Sequence, residues 1–250
     1  MKTLKVMIFD KMQELFFHLV DKWNEIGSQA CQSRGLFNVA VSGGQSPQPF
    51  FTPLSENKEI NFWDKTHIFM VDERFISPFH KESNQRMIRE QLINRINISQ
   101  NNFHGIPIRK DVFQSAREYE QALKYYFELK KEECPVFDLI LLGIGKDGHT
   151  ASLFLNHRNL ADTKKLITAE GVPRFNYQRI SLTLPVINHS RNVIFLVTGK
   201  EKASIIHQVL IKKNKKLPAA GVQPKIGNVY FFLDKSAASL LISNKDFVIS

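Results

Sequence analysis

Phe137-Asp-Leu-Ile-Leu-Leu-Gly-Ile-Gly-Lys-Asp-Gly-His-Thr-Ala-Ser-Leu-Phe154 starts as an apolar run and breaks into three glycines grouped around an aspartate and a histidine. A short apolar run that stops at a glycine reads as a strand covered on both faces, the pattern of a parallel sheet. The same pattern recurs in both directions along the chain. Strand candidates are Leu4–Phe9, Phe37–Val41, Thr66–Val71, Phe137–Leu142, Leu166–Thr168, Arg179–Thr183, Val193–Val197 and Val229–Leu233. Helical periodicity covers about Lys11–Arg34, Ser83–Ile96, Ser115–Glu133, Lys200–Lys212 and Ser236–Leu241. Strands alternating with helices specify an α/β fold with a mainly parallel sheet. No Pro- or Gly-rich linker and no internal repeat divides the chain, so residues 1–250 are read as a single domain.

Composition agrees with a soluble globular protein: 43% of the residues are hydrophobic and 23% charged. A chain of this length buries roughly 70–75% of its unfolded surface, enough for a core without staples. The twenty phenylalanines are expected in that core. Cys31 and Cys134 form no C-x-x-C pair and read as reduced thiols. The apolar run at the N-terminus is too short for a signal peptide, and no stretch approaches the roughly 20 apolar residues that span a bilayer. A cytoplasmic protein, monomeric or homodimeric, is expected. The net charge of +10 is scattered, its densest run being Lys212-Lys-Asn-Lys-Lys216. No nucleic-acid motif accompanies it, so the expected partner is a small anion, neither nucleic acid nor membrane.

In open α/β sheets ligands bind beyond the carboxyl ends of the strands. Four strand exits carry unusual chemistry. In Val41-Ser-Gly-Gly-Gln-Ser-Pro47, paired glycines expose backbone N–H groups, and Ser46-Pro47 reads as an N-cap and first helical residue, together an anion site or an ordinary tight turn. In Val71-Asp-Glu-Arg-Phe75, followed by Ser83-Asn84, three charges leave an apolar strand that does not need them to fold. Asp72 can carry protons there, and the Arg74 fork suits a phosphate or carboxylate. In the opening stretch, His149 titrates near neutrality and can act as a general base, while Asp147 can orient its ring and favour the protonated form. In Val197-Thr-Gly-Lys-Glu-Lys-Ala203, Lys200 and Lys202 sit in a first helical turn, where the helix dipole disfavours cations, so a bound anion accounts for them better than the helix does, with solvated lysines as the alternative. Gly143-x-Gly145-x-x-Gly148, with Glu170 further on, also matches the dinucleotide fingerprint. That fingerprint requires a helix packed from its third glycine, and the pattern here is interrupted at Asn156-His-Arg-Asn159.

Taken in order, Ser42-Gly-Gly-Gln-Ser-Pro47, Asp72-Glu-Arg74 with Ser83-Asn84, Gly143–Phe154, Arg179-Ile-Ser-Leu-Thr183, Gly199–Ala203 and Leu233-Asp-Lys-Ser-Ala-Ala238 resemble the 6-phosphogluconolactonase family, a branch of the glucosamine-6-phosphate isomerase/deaminase superfamily. The resemblance spans nearly the whole chain and implies a Rossmann-like α/β fold. It implies hydrolysis of 6-phosphoglucono-δ-lactone without a metal or organic cofactor. His149 resembles the residue that activates water, with Asp147 beside it. Ser42, Gly43, Gly44, Gln45, Ser46 and Lys202 resemble a phosphate cradle, and Arg74 and Arg179 fall where phosphate or the sugar acid is met. Asp72 resembles a carboxylate that transfers protons in the deaminase branch. Two departures stand out: Gln45-Ser46 replaces a common Ser-Thr, and Leu155-Asn156 replaces the usual Pro-Gly. The deaminase branch carries a glutamate shortly after its histidine, where this chain has Phe154, which weighs against ring-opening isomerase chemistry. An isomerase or deaminase of amino-sugar phosphates and a non-catalytic sugar-phosphate sensor are the alternatives.

Overall fold

The computed structural model describes residues 3–155, 165–170, 176–225 and 227–242. Its strands in chain order are β1 (Leu4–Phe9), β2 (Phe37–Val41), β3 (Thr66–Met70), β4 (Asp72–Arg74), β5 (Phe103–His104), β6 (Leu139–Leu142), β7 (Ile167–Glu170), β8 (Arg179–Leu182), β9 (Asn192–Val197) and β10 (Asn228–Asp234). The helices are α1 (Met12–Arg34), α2 (Gln48–Glu56), α3 (Asn84–Gln91), α4 (Val112–Tyr126), α5 (Leu184–Ile187), α6 (Ala203–Leu210) and α7 (Ser239–Ile242). Seven strands form one sheet in the order β1-β10-β9-β6-β2-β3-β5, every pairing parallel. A second, antiparallel sheet has the order β4-β8-β7.

The apolar runs become strands because both faces of the large sheet are covered. All four residues of β6 are buried, as are five of the six in β9. Each large side chain so buried contributes about 1.5–3 kcal/mol. Trp23 of α1 packs edge-on to Phe37, with ring centroids 5.5 Å apart, and tilts against Trp63 at 6.4 Å. Most phenylalanines join this core, but Phe17, Phe79 and Phe113 are exposed. Asp138, the single charge in the opening apolar run, is buried. Its carboxylate accepts from Arg34 Nη2 at 2.7 Å and from the Asn38 backbone N–H at 2.9 Å, pinning α1 to the amino ends of β2 and β6.

Several expected boundaries move. Helix α4 starts at Val112 because Asp111 caps it, accepting from Gln114 N at 2.8 Å. It ends at Tyr126, two residues before Glu128 adopts a positive φ. The Ser83–Ile96 expectation resolves into α3, capped by Ser83, and a separate 3-10 turn at Ile93–Arg95. Lys200–Lys202 forms a 3-10 turn ahead of α6. The strands β4 and β5 and the helix α5 have no counterpart in the sequence reading.

Sheet order places the site. From β2 the chain steps outward through β3 to β5, and from β6 it steps the other way through β9 to β10. The reversal falls between β2 and β6, and a crevice at the carboxyl ends of such strands is where α/β sheets bind ligands.

Candidate active site

The Ser42–Pro47 turn leaves β2 and the Gly143–His149 turn leaves β6, so the strand pairing alone sets them side by side. The Ser42 N–H donates to Leu141 O at 3.0 Å and ties the two exits together. A cavity of about 570 Å³ opens over them, lined by both turns and by Asp72, Arg74, Arg179 and Lys202. Every site residue expected from the sequence lines it except Asp147, which stands beside His149, and Lys200.

His149 Nδ1 lies 2.5 Å from Asp147 Oδ1. That contact assigns the ring tautomer: Nδ1–H donates to the carboxylate, and Nε2 keeps its lone pair. The turn is closed by Gly145 N donating to His149 O at 2.8 Å. A Cβ on Gly145 would lie 2.0 Å from His149 Nδ1 and 2.6 Å from Asp147 Oδ1, so only glycine admits the pair. Phe154 covers the imidazole, with ring centroids 4.6 Å apart. Burial pushes His149 down to about 4; Asp72 opposes the shift, and Lys202 and Arg179 reinforce it. The expectation that Asp147 would favour the imidazolium is therefore overridden, and the ring is neutral at pH 7. No helix follows Gly148 through Leu155; Leu153 N donates to Thr150 O in a tight turn. The dinucleotide match therefore lacks the helix it requires up to that point, while Asn156–Asn159 and the segment after them lie outside the described residues.

The small sheet supplies charge. Arg74 stands opposite Arg179, and Asp72 opposite Ser181, across the β4–β8 ladder. Burial and the adjoining Arg74 guanidinium pull Arg179 below the usual arginine range, opposed by Asp72, Glu73 and Glu82. Arg74 Nη1 donates to the backbone carbonyl of Glu82. Burial pushes Asp72 upward, and Ser152, Arg74, Arg179 and His149 hold it back. Glu73, between Asp72 and Arg74, does not line the cavity. It accepts from Ser83 Oγ at 2.9 Å, Asn84 N at 2.9 Å, Gln85 N at 2.7 Å and Arg74 N at 2.8 Å. A carboxylate saturated at a helix N-terminus is a folding device, which corrects the view that none of these three charges serves the fold. It also seats Asn84, whose Nδ2 donates to Asp72 O at 3.1 Å. The Asn84 side chain fills the space where a Cβ on Gly43 would sit, 2.3 Å from Asn84 Cγ.

Ser46 is not the expected N-cap. Pro47 occupies that position without a side-chain cap, and α2 begins at Gln48, whose N–H donates to Gly44 O at 3.3 Å. The Gly44–Pro47 turn takes up the residues assigned to the helix start. The Ser42 hydroxyl is buried and has no hydrogen-bond partner among the described residues. Lys202 does reach back over the strand ends, donating from Nζ to Ile144 O at 2.7 Å, whereas Lys200 is exposed and does not line the cavity. Asp234 fixes the Gly199 turn, both of its oxygens 3.1 Å from Gly199 N. Ser152, Asn84 and Asp234 belong to the site's framework although sequence reasoning gave them no role. All three lie inside quoted motifs, which was the available signal.

Residues 10–231 match the family described as Glucosamine-6-phosphate isomerases/6-phosphogluconolactonase. The chain is similar to a protein named 6-phosphogluconolactonase from Synechocystis, with 36% identity over 220 residues covering 86% of this chain and 88% of that one. Its similarity to the 6-phosphogluconolactonase of Rattus norvegicus is 33% over 244 residues, covering 94% and 93%. Among solved structures, 6-phosphogluconolactonase from Trypanosoma brucei superposes with a TM-score of 0.85 at 26% identity, covering 96% of this chain and 100% of that chain. A monomeric glucosamine-6-phosphate deaminase shares the fold, with a TM-score of 0.77 at 17% identity over 94% of this chain and 99% of that one. With the family pattern running through both glycine turns, the charged small sheet and the Gly199 turn, this chain belongs to the glucosamine-6-phosphate isomerase/6-phosphogluconolactonase family.

Proposed function

We propose that the protein hydrolyses 6-phospho-D-glucono-1,5-lactone to 6-phospho-D-gluconate, the lactone-opening step of the oxidative pentose phosphate pathway, with His149 as the general base. The observation that carries this reading is a neutral imidazole held by Asp147 through Nδ1 at the edge of a cationic cavity. The full-length similarity to proteins named 6-phosphogluconolactonase supports the substrate.

A δ-lactone is an activated ester, so water can attack it without a side-chain nucleophile. His149 Nε2 takes a proton as the water oxygen bonds to the lactone carbonyl carbon. The tetrahedral oxyanion then collapses, the ring C–O bond breaks, and the departing ring oxygen receives the proton. Lactone and water are thereby converted to the open hydroxy acid, with no redox change and no metal needed. In this reading the Ser42–Ser46 turn and Lys202 take the phosphate, whose distant anchoring orients the ring. Arg74 and Arg179 meet the phosphate or the sugar acid, and Asp72 tunes His149 electrostatically. A bound phosphate also neutralises the cations that depress His149, making the base stronger once substrate is in place.

A cytoplasmic location and a monomeric or homodimeric state accompany the reading. Both cysteines are free thiols, and no helix among the described residues is long and apolar enough to cross a membrane. The test follows acid release from freshly made lactone at constant pH, for the parent and for His149→Asn. Hydrolysis that survives the change intact removes His149 from its role, and a parent that does not hydrolyse the lactone removes the lactonase reading.

A further inference from the structure

We propose that Ser152 is a positioning residue of this site: its hydroxyl holds the buried Asp72 carboxylate in place against the turn that carries His149. The inference rests on the lactonase reading for its catalytic consequence but not for its structural core.

Three residues remote in sequence close a ring. Ser152 Oγ donates to Asp72 Oδ2 at 2.6 Å. The Ser152 backbone N–H donates to Ser181 Oγ at 3.2 Å. Ser181 in turn is the cross-strand partner of Asp72 on β8. The Ser181 hydroxyl proton is committed to Leu182 O at 2.9 Å, so its oxygen is left to accept from Ser152. All three residues are buried. Ser152 stands three residues beyond His149, in the turn closed by Leu153 N to Thr150 O and anchored by Thr150 Oγ1 to Gly143 O at 2.9 Å. The ring therefore ties the turn that presents the base to the small sheet that presents Asp72, Arg74 and Arg179.

The bond also sets charge. Burial drives Asp72 toward its neutral form, and the Ser152 hydroxyl is the foremost group opposing that, ahead of Arg74 on the same strand, Arg179 on β8 and His149 on the turn. An ionised Asp72 in turn supports the basicity of His149, against Lys202 and Arg179. Ser152 thus acts on the base through Asp72, and its hydroxyl proton, engaged by a carboxylate, is not offered to substrate.

The test is Ser152→Ala, a substitution that removes one oxygen and leaves the backbone bond to Ser181 intact. The carboxyl carbon of Asp72 is titrated by ¹³C NMR in parent and variant, without substrate, and kcat/KM for the lactone is measured across pH. A hydrogen bond to the charged form favours it, so its loss moves the Asp72 midpoint upward by about one pH unit. Where the variant's Asp72 is protonated and the parent's is not, His149 loses the carboxylate that supports its basicity, giving a loss of about tenfold at the acid end that shrinks toward the alkaline plateau. Ser152→Thr, which keeps a hydroxyl, returns the Asp72 midpoint and the acid-end activity toward the parent values. An unchanged Asp72 titration, or a loss equal at every pH, overturns the proposal. Because the titration uses no substrate, it judges Ser152 separately from the lactonase reading, which only the parent's activity decides.

Discussion

His149 and His104 sit in different parts of the molecule, and burial brings both to about 4. Their surroundings differ in what the second nitrogen can do. His104, on the short strand β5, stacks flat on Phe69 with centroids 4.1 Å apart. Its Nε2 is 3.0 Å from Nδ1 of His67, whose charge also depresses it. His149 spends Nδ1 on Asp147 and keeps Nε2 for a cavity lined by two arginines and two lysines. A depressed pKa therefore records burial, and it marks a reactive group only where an orienting carboxylate and an open, charged space accompany it.

His149→Asn is expected to lower kcat by on the order of 10²–10⁴-fold, the usual worth of a positioned base, measured by acid release at constant pH. Asp147→Asn keeps the ring but replaces the carboxylate with an amide that can also donate to Nδ1 and so select the wrong tautomer, and a loss of about 10²-fold is expected by the same assay. A loss as large as that of His149→Asn would mean the ring contributes only when oriented. Saturating inorganic phosphate should raise the His149 midpoint by on the order of one unit in NMR titration, because it neutralises cations that depress it. The midpoint of His104 should stay where it is.

The smallest effect belongs to His104 and appears in stability. Its folded midpoint is about 4 against 6.5 for the ordinary ring, so the unfolded chain binds more protons between those values. Stability is then complete above about 6.5 and falls as pH drops toward 4. Partial exposure limits the contribution to about 1–2 kcal/mol. His104→Gln should flatten that part of the pH dependence of thermal denaturation while leaving activity at pH 7.5 unchanged. An equal acid sensitivity in the variant would show that other groups carry it.

The neighbours Asp72 and Glu73 repeat the contrast within one strand. Both are carboxylates pushed up by burial, yet Glu73 has four hydrogen-bond donors and no access to the cavity. Asp72 lines the cavity and depends on a serine eighty positions away. Nothing in Asp-Glu-Arg by itself separates the two, because what differs is the set of elements packed on each side of β4.

Residue pattern alone carries most strands of the large sheet and the identity of the loops. β1 and β2 coincide with the strand candidates read from the chain, since a short run rich in apolar residues is a local signal. β4 left none, because three charged residues become a strand only by pairing with β8. Pro53, inside the helix, interrupted the periodicity of α2. The glycine turns, His149 and Asp147 were legible because sharp turns and short-range pairs are written in adjacent residues. Tertiary structure alone decided that Ser42, Asp72, His149, Arg179 and Lys202 share one cavity, since sheet order, not chain distance, sets which strand exits meet. It also decided the state of His149. A ring that would titrate near 6.5 in water is held at about 4 by residues that only the fold gathers around it, because desolvation is a property of the packed surroundings and not of the residue.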